Sequence, residues 1–372
     1  MLLVAALSCR RPVSDRRDTI PLVKQLAVDT TGAFSLVQSY RNAGKTGSIA
    51  IIGEPGPCML LAERFLTVDA VDNIDGKAAK DRLPDFAGEV FDIILDVYNA
   101  PYSHFAANST DSLREVAVRS ALFAVDSVCL SSAFNTANRL RKSRAKVMVL
   151  ASSLLSEYGQ FDIDTLFKMA GRPPLILSPA ETMLADALED GPADIAVWAP
   201  REAKAAYKAV FDRMDHGEAT LTVVTPEETM DVRMRLREVL RRYRNQRPDG
   251  RLSAVIVDDF GMDLGMLQAE IEHIHLEITE EDLAFSRMLL PGFRFIAPME
   301  SLTTACYRLL RRENLFTHDI AYPEARFYQT EEGLDGDLVL VGISPGYLSS
   351  EMEGFIDINT SAARYFYVPD ND

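Results

Sequence analysis

Short apolar runs recur along the chain, each followed by a stretch with helical spacing. The runs are Gln25–Val28, Ser48–Gly53, Phe91–Val97, Lys146–Ala151, Pro174–Leu177, Asp194–Ala199, Thr220–Val224, Leu252–Val257, Arg294–Ile296 and Asp337–Gly342. Most are apolar throughout rather than alternating. Strands covered on both faces, as in parallel sheets, have that pattern. Between them, Glu202–Met214, Glu228–Tyr243 and Leu302–Leu310 place apolar residues at helical intervals among charges. Cys306 falls on the apolar face of the last of these, which predicts a core cysteine rather than a reactive one. Strand–helix alternation of this kind builds βαβ units with right-handed crossovers. The fold class expected is α/β, and functional groups are expected in loops beyond the carboxyl ends of the strands.

Composition narrows the function classes. The chain has 372 residues, 47% hydrophobic and 25% charged, with a formal net charge of -16. Such an acidic surface repels nucleic-acid phosphates and anionic lipid heads, so neither is an expected partner. No apolar run reaches the roughly 18–20 residues of a membrane span. The four cysteines (Cys9, Cys58, Cys129 and Cys306) form no CxxC pair, and only His273 and His275 lie close together among the five histidines. A metal site is not expected on that basis. Phosphate loops of the GxxxxGK[ST] and GxGxxG types are absent, as is a GxSxG nucleophile elbow, and no cofactor is expected. At the N-terminus, apolar Met1–Leu7 runs into Ser8-Cys9 and then a polar segment. A small residue before a cysteine after an apolar stretch resembles a lipoprotein processing site. The expectation is a lipid on Cys9, residues 1–21 as signal and tether, and a place in the cell envelope with membrane contact only through that anchor. The alternative is a cytoplasmic protein with a ragged start.

The strand ends carry the candidate chemistry. Asp29-Thr30-Thr31-Gly32 follows the first run and can hold a ligand amino or hydroxyl group, or simply cap a helix. Glu54-Pro55-Gly56-Pro57 follows the second, Asp96-Val97-Tyr98-Asn99 the third and Ala151-Ser152-Ser153 the fourth. Asp258-Asp259-Phe260-Gly261 follows Leu252–Val257, where paired aspartates suit a cation, a ligand ammonium or a helix cap.

Read in order, these strand ends resemble the glutamate racemase family of the aspartate/glutamate racemase superfamily. That family opens with a strand and a D-S-G turn, matched by Val28–Gly32. A strand ending in an acidic residue is matched at Glu54. A C-N-T strand end falls on Tyr98 and Asn99, and a serine/threonine-rich turn on Val149–Ser153. A G-C-T-H-Y-P motif falls at Val257–Gly261, and R-F-Y-T-T is matched by Arg326–Thr330. The resemblance covers roughly residues 22–330. It implies two racemase-like lobes, each a mainly parallel sheet flanked by helices, with a cleft between them. The expected lobes are residues 22–145, then 146–260 with an insertion at about 194–228, then 261–372 returning to the first lobe and ending in a tail. A homodimer is compatible with it.

The family inverts an α-carbon with two thiols, one removing a proton and the other returning one. Here Tyr98 and Asp258 stand at those positions and Phe260 replaces the family histidine. A phenol with an ordinary pKa near about 10 and a carboxyl near about 4 are mismatched for symmetric proton exchange. The resemblance therefore implies a racemase-like envelope lipoprotein without standard glutamate racemase activity. It would bind a small amino acid, such as a dicarboxylic one, or a cell-wall fragment through Asp29, Thr30, Asn99, Ser152, Asp258 and Asp259. An enzyme of altered chemistry using Tyr98 and Asp258 is one alternative. A solute-binding lipoprotein of a transporter is another.

Overall fold

A computed structural model describes residues 17–28, 33–40, 44–73, 76–171, 173–189, 191, 194–227, 229–317 and 321–343. Cys9, Asp29, Thr30 and residues 344–372 of the expected C-terminal tail lie outside the described residues. In chain order the elements are α1 (Pro21–Val28), α2 (Ala33–Ser39), β1 (Ser48–Gly53), α3 (Pro55–Thr67), β2 (Val90–Leu95), α4 (Tyr102–Asn108) and α5 (Thr110–Val125). Then follow β3 (Val128–Leu130), β4 (Arg139–Arg141), β5 (Ala145–Leu150), α6 (Ser153–Tyr158), α7 (Gln160–Met169), β6 (Ile176–Leu177) and α8 (Pro179–Ala187). The second half has β7 (Asp194–Trp198), α9 (Lys204–Arg213), β8 (Thr220–Val224), α10 (Val232–Gln246) and β9 (Leu252–Val257). It ends with α11 (Leu264–Ile274), α12 (Glu280–Met288), β10 (Leu289–Ile296), α13 (Pro298–Arg312), β11 (Glu324–Glu332) and β12 (Leu338–Ile343).

Among the described residues these strands form two sheets, one ordered β4-β3-β12-β11-β2-β1-β5-β6 and one ordered β10-β9-β7-β8. The small sheet is parallel throughout. In the large one, β11, β2, β1, β5 and β6 run parallel, and β12 turns back antiparallel on β11. β1, β5 and β9 read as unbroken apolar runs because helices cover both of their faces; every residue of β1 and β5 is buried.

Two expectations need correction. Gln25–Val28 is not a strand but the last turn of α1. Pro21 starts that helix, and Val23 and Leu26 bury a face against the core at helical spacing. A four-residue apolar run cannot be assigned by pattern alone, and the proline at the first helical position was the usable signal. Among the described residues the first strand of the sheet is therefore β1. The break expected at residue 146 also differs, since β5 and β6 pair within the large sheet. The sheets change over between β6 and β7. Residues 194–228 hold the expected strand–helix–strand, β7-α9-β8, and β7 is an inner strand of the small sheet, paired with both β8 and β9.

Candidate functional site

Each sheet has a point where strand order reverses. After β1 the chain crosses to β2 on one side, and β5 lies on the other. In the small sheet β7 leads to β8 on one side, and β9 lies on the other. Loops leaving the two strands at such a point diverge and open a crevice beyond their carboxyl ends. The β1/β5 point presents Glu54, Ser152 and Ser153. The β7/β9 point presents Asp258 and Asp259.

A hydrogen bond joins the two points. Ser153 Oγ donates to Asp258 Oδ1 at 2.7 Å, and Tyr207 OH of α9 lies 3.2 Å from the same Ser153 Oγ. The Asp258 backbone N–H bonds Trp198 O at the end of β7, which fixes the start of the loop. Phe260, two residues on, is buried in the apolar cluster between α3 and the large sheet, so the loop after β9 reaches across to the other lobe. The Asp258 carboxyl is half-buried. Burial pushes its pKa up to about 6, with Asp259 adding to the rise and the Ser153 and Tyr207 hydroxyls pulling it back. The Tyr207 phenol is driven well up by burial and by Asp258.

A second network stands at the end of β2. Asp96 is fully buried. Its Oδ1 accepts from Asn99 Nδ2 at 2.8 Å and from Thr330 Oγ1 at 2.7 Å, and its Oδ2 accepts from Tyr102 OH at 2.9 Å. Glu54 Oε1 accepts from the Tyr102 backbone N–H at 3.1 Å. Burial raises the Glu54 pKa, the Tyr102 amide opposes it, and Asp96 adds to it. Close approach is built in at Gly53: a Cβ there would meet the Ala151 Cβ and carbonyl oxygen at 3.2 Å, so the ends of β1 and β5 leave no room for a side chain.

The residues expected from sequence fall in different places. Asp258 joins the two lobes, and Asp259 is exposed, accepting from the Gly261 N–H at 2.8 Å. Ser152 is buried at the β1/β5 point, and its side chain does not cap α6. Asn99 is spent on Asp96. Tyr98 is 54% exposed and, with Asn99, Phe105 and Arg119, lines a separate cavity of about 250 Å³ that Asp258 does not border. Tyr98 and Asp258 share neither a hydrogen bond nor a cavity. Sequence reading included Asp96 and Ser153 in its strand-end segments but chose their neighbours as ligand contacts, and it passed over Tyr207 and Tyr102. Thr330 entered only as the last residue of the Arg326–Thr330 match.

The thiols are equally decisive for chemistry. Cys58, Cys129 and Cys306 are buried and unpaired. Burial raises all three thiols, Cys129 to about 11, and nearby Asp96 and Glu54 push Cys58 up further. Among the described residues no cluster of side chains suits a metal ion. No helix among them is long and apolar enough to cross a membrane.

No protein-family model matches the sequence, and comparison with curated proteins gives no match. Solved structures do match. A glutamate racemase isoform from Bacillus anthracis aligns over 77% of this chain and 90% of its own, with a TM-score of 0.47 and 11% identity. Glutamate racemase from Francisella tularensis in complex with D-glutamate aligns over 78% and 91%, with a TM-score of 0.46 and 16% identity. The chain is similar in fold to glutamate racemases. An aspartate racemase homologue from Pyrococcus horikoshii aligns over 72% of this chain and 100% of its own, with a TM-score of 0.39 and 11% identity.

Proposed function

We propose that the crevice between the two facing strand-order reversals binds a small ligand through its ammonium group, and that the protein does not carry out two-thiol racemisation. One observation carries the reading. Glu54 and Asp96 meet at Tyr102 beyond β1 and β2, Asp258 reaches Ser153 beside the end of β5 from the end of β9, and none of the three has a cationic partner among the described residues. Uncompensated carboxylates at least half removed from water are costly, and a ligand cation offsets that cost. A small amino acid or an amino-bearing cell-wall fragment supplies it. A dicarboxylic amino acid brings two negative charges of its own, so the site favours a neutral or cationic amino acid. The buried, raised thiols support the absence of two-thiol chemistry, because a thiolate is the species that abstracts the proton. Calorimetric titration with glycine, D- and L-alanine, L-lysine and D- and L-glutamate tests this. The expected result is binding of a neutral or cationic member, weakened at least about tenfold by Asp258→Asn. Silence across the panel overturns it.

The titration of Asp258 favours a second reading, in which it transfers a proton. A carboxyl with a pKa of about 6 is matched to acid–base work near neutral pH. Exchange of an amino-acid α-proton for deuterium, lost in Asp258→Asn, would support it; no exchange across the panel removes it. The envelope location rests on the Ser8-Cys9 pattern. Incorporation of labelled palmitate that disappears in Cys9→Ser supports an anchor, and an unlabelled wild-type chain in a lipoprotein-processing host refutes it.

A further inference from the structure

At the opposite end of the small sheet, near the amino ends of β9 and β10, lies an open cavity of about 520 Å³. It is distant in the fold from the strand-end crevice and its chemistry is the reverse. Its lining carries two guanidinium groups, Arg251 and Arg287, one imidazole, His275, and no carboxylate. Neither arginine side chain has a hydrogen-bond or ion-pair partner among the described residues, and both are exposed. In a chain of net charge -16, most other arginines around the small sheet are paired. Arg237 holds Glu270 and Asp282, Arg241 holds Glu238 and Glu281, and Arg294 holds Asp186. Two unpaired guanidiniums sharing one cavity stand out against that background.

The rest of the cavity is shaped for more than a bare ion. Ile271, Leu289 and Phe293 supply apolar wall. The wall exists because β10 leaves its register with β9 between Leu289 and Arg294, and Gly292 takes a φ of +87°, which bulges residues 290–293 out of the sheet. The imidazole is held in place. His275 Nδ1 lies 3.2 Å from Ser286 Oγ, which itself donates to Glu277 Oε1 at 2.9 Å. That contact orients the imidazole ring within the cavity lining.

We infer that this cavity is a second binding site, for a small organic anion whose carboxylate or phosphate head is taken by Arg251 and Arg287 and whose apolar body covers Ile271, Leu289 and Phe293. Planar guanidiniums suit both heads because each offers a fork of donors. The site is independent of the function proposed for the crevice. Calorimetric titration of the full chain with phenyl phosphate, phenylacetate and inorganic phosphate tests it. Saturable binding of phenyl phosphate or phenylacetate is expected, tighter than that of inorganic phosphate; which of the two binds assigns the head group. The double variant Arg251→Ala/Arg287→Ala, whose exposed side chains leave the core untouched, should weaken binding at least about tenfold, and Phe293→Ser should weaken the aromatic probes but not inorganic phosphate. Absence of saturable binding by either aromatic anion, equal affinity for inorganic phosphate, or unchanged affinity in the double variant overturns the inference.

Discussion

Asp258 should make this protein less stable as its own carboxyl ionises, and the size of the effect follows from its surroundings. Its pKa rises from the ordinary 3.8 to about 6 in the fold. The folded state therefore holds the proton more tightly than the unfolded chain. The resulting stabilisation is fully present below about 3.8 and is lost as pH rises through about 6. Two pKa units correspond to about 3 kcal/mol in total, of which about 2 kcal/mol falls between pH 4.5 and pH 8. Asp258→Asn removes the titration and keeps an oxygen to accept from Ser153. Urea unfolding of both proteins at those two pH values isolates this carboxyl, because every other titrating group is common to the pair. The variant should gain about 2 kcal/mol on the wild type in going from the lower pH to the higher. If the difference between the two proteins is the same at both pH values, the Asp258 carboxyl has an ordinary pKa. The acid–base reading of the crevice would then fail with it.

Other outcomes follow from burial and pairing. Tyr102→Phe removes the donor to Asp96 Oδ2 and leaves a buried carboxylate oxygen unserved, at a cost of about 1–3 kcal/mol; an unchanged urea midpoint would count against the network. Lys146→Met breaks a fully buried pair with Glu89 and should cost about 3–5 kcal/mol, while Lys146→Met/Glu89→Met recovers part of the loss. A double variant no better than the single would show that the pair is not coupled. Cys58, Cys129 and Cys306 should resist iodoacetamide in the native protein and alkylate once it is unfolded. Rapid native labelling of any of them, read by peptide mass spectrometry, would refute the burial argument and reopen thiol chemistry.

The parallel strands were legible because burial on both faces writes itself as unbroken apolar runs. Ser48–Gly53 and Leu252–Val257 have the same bounds in the pattern and in the structure. Strands without that signature were not legible. Val128–Leu130 and Arg139–Arg141 are three-residue strands at one end of the large sheet, the second its mostly exposed edge, and Arg326–Thr330 read as a motif before it read as part of β11. In the candidate site, the strand-end rule located Glu54, Ser152 and Asp258. It could not find Tyr207, a helix residue among charges whose part depends on α9 packing against α6. Nor could it foresee that Tyr98 faces outward while its neighbour Asn99 turns in to Asp96. Alternation along an irregular loop has no fixed period, so sequence spacing does not say which of two adjacent side chains enters a crevice.

The distribution of buried charge separates structural from functional carboxylates. At the amino end of β2 two buried acids have a lysine each, Glu89 with Lys146 at 2.5 Å and Asp92 with Lys142 at 3.5 Å, while buried Asp85 accepts from the backbone N–H groups of Ala70 and Val71. Ser48 Oγ also donates to Asp92 Oδ2 at 2.6 Å, and Thr317 donates to Glu89 from both its backbone and its hydroxyl. Such pairs are closed, since a ligand would have to displace a covalently tethered cation already in contact. At the carboxyl ends the same fold buries or half-buries Glu54, Asp96 and Asp258 and supplies them with hydroxyls and amides but, among the described residues, no lysine or arginine. Hydroxyl donors moderate a buried negative charge without cancelling it, and the raised pKa values of Glu54 and Asp258 are the residue of that imbalance. The ammonium site proposed for the crevice rests on that imbalance, since a ligand cation would offset a cost that the fold leaves in place.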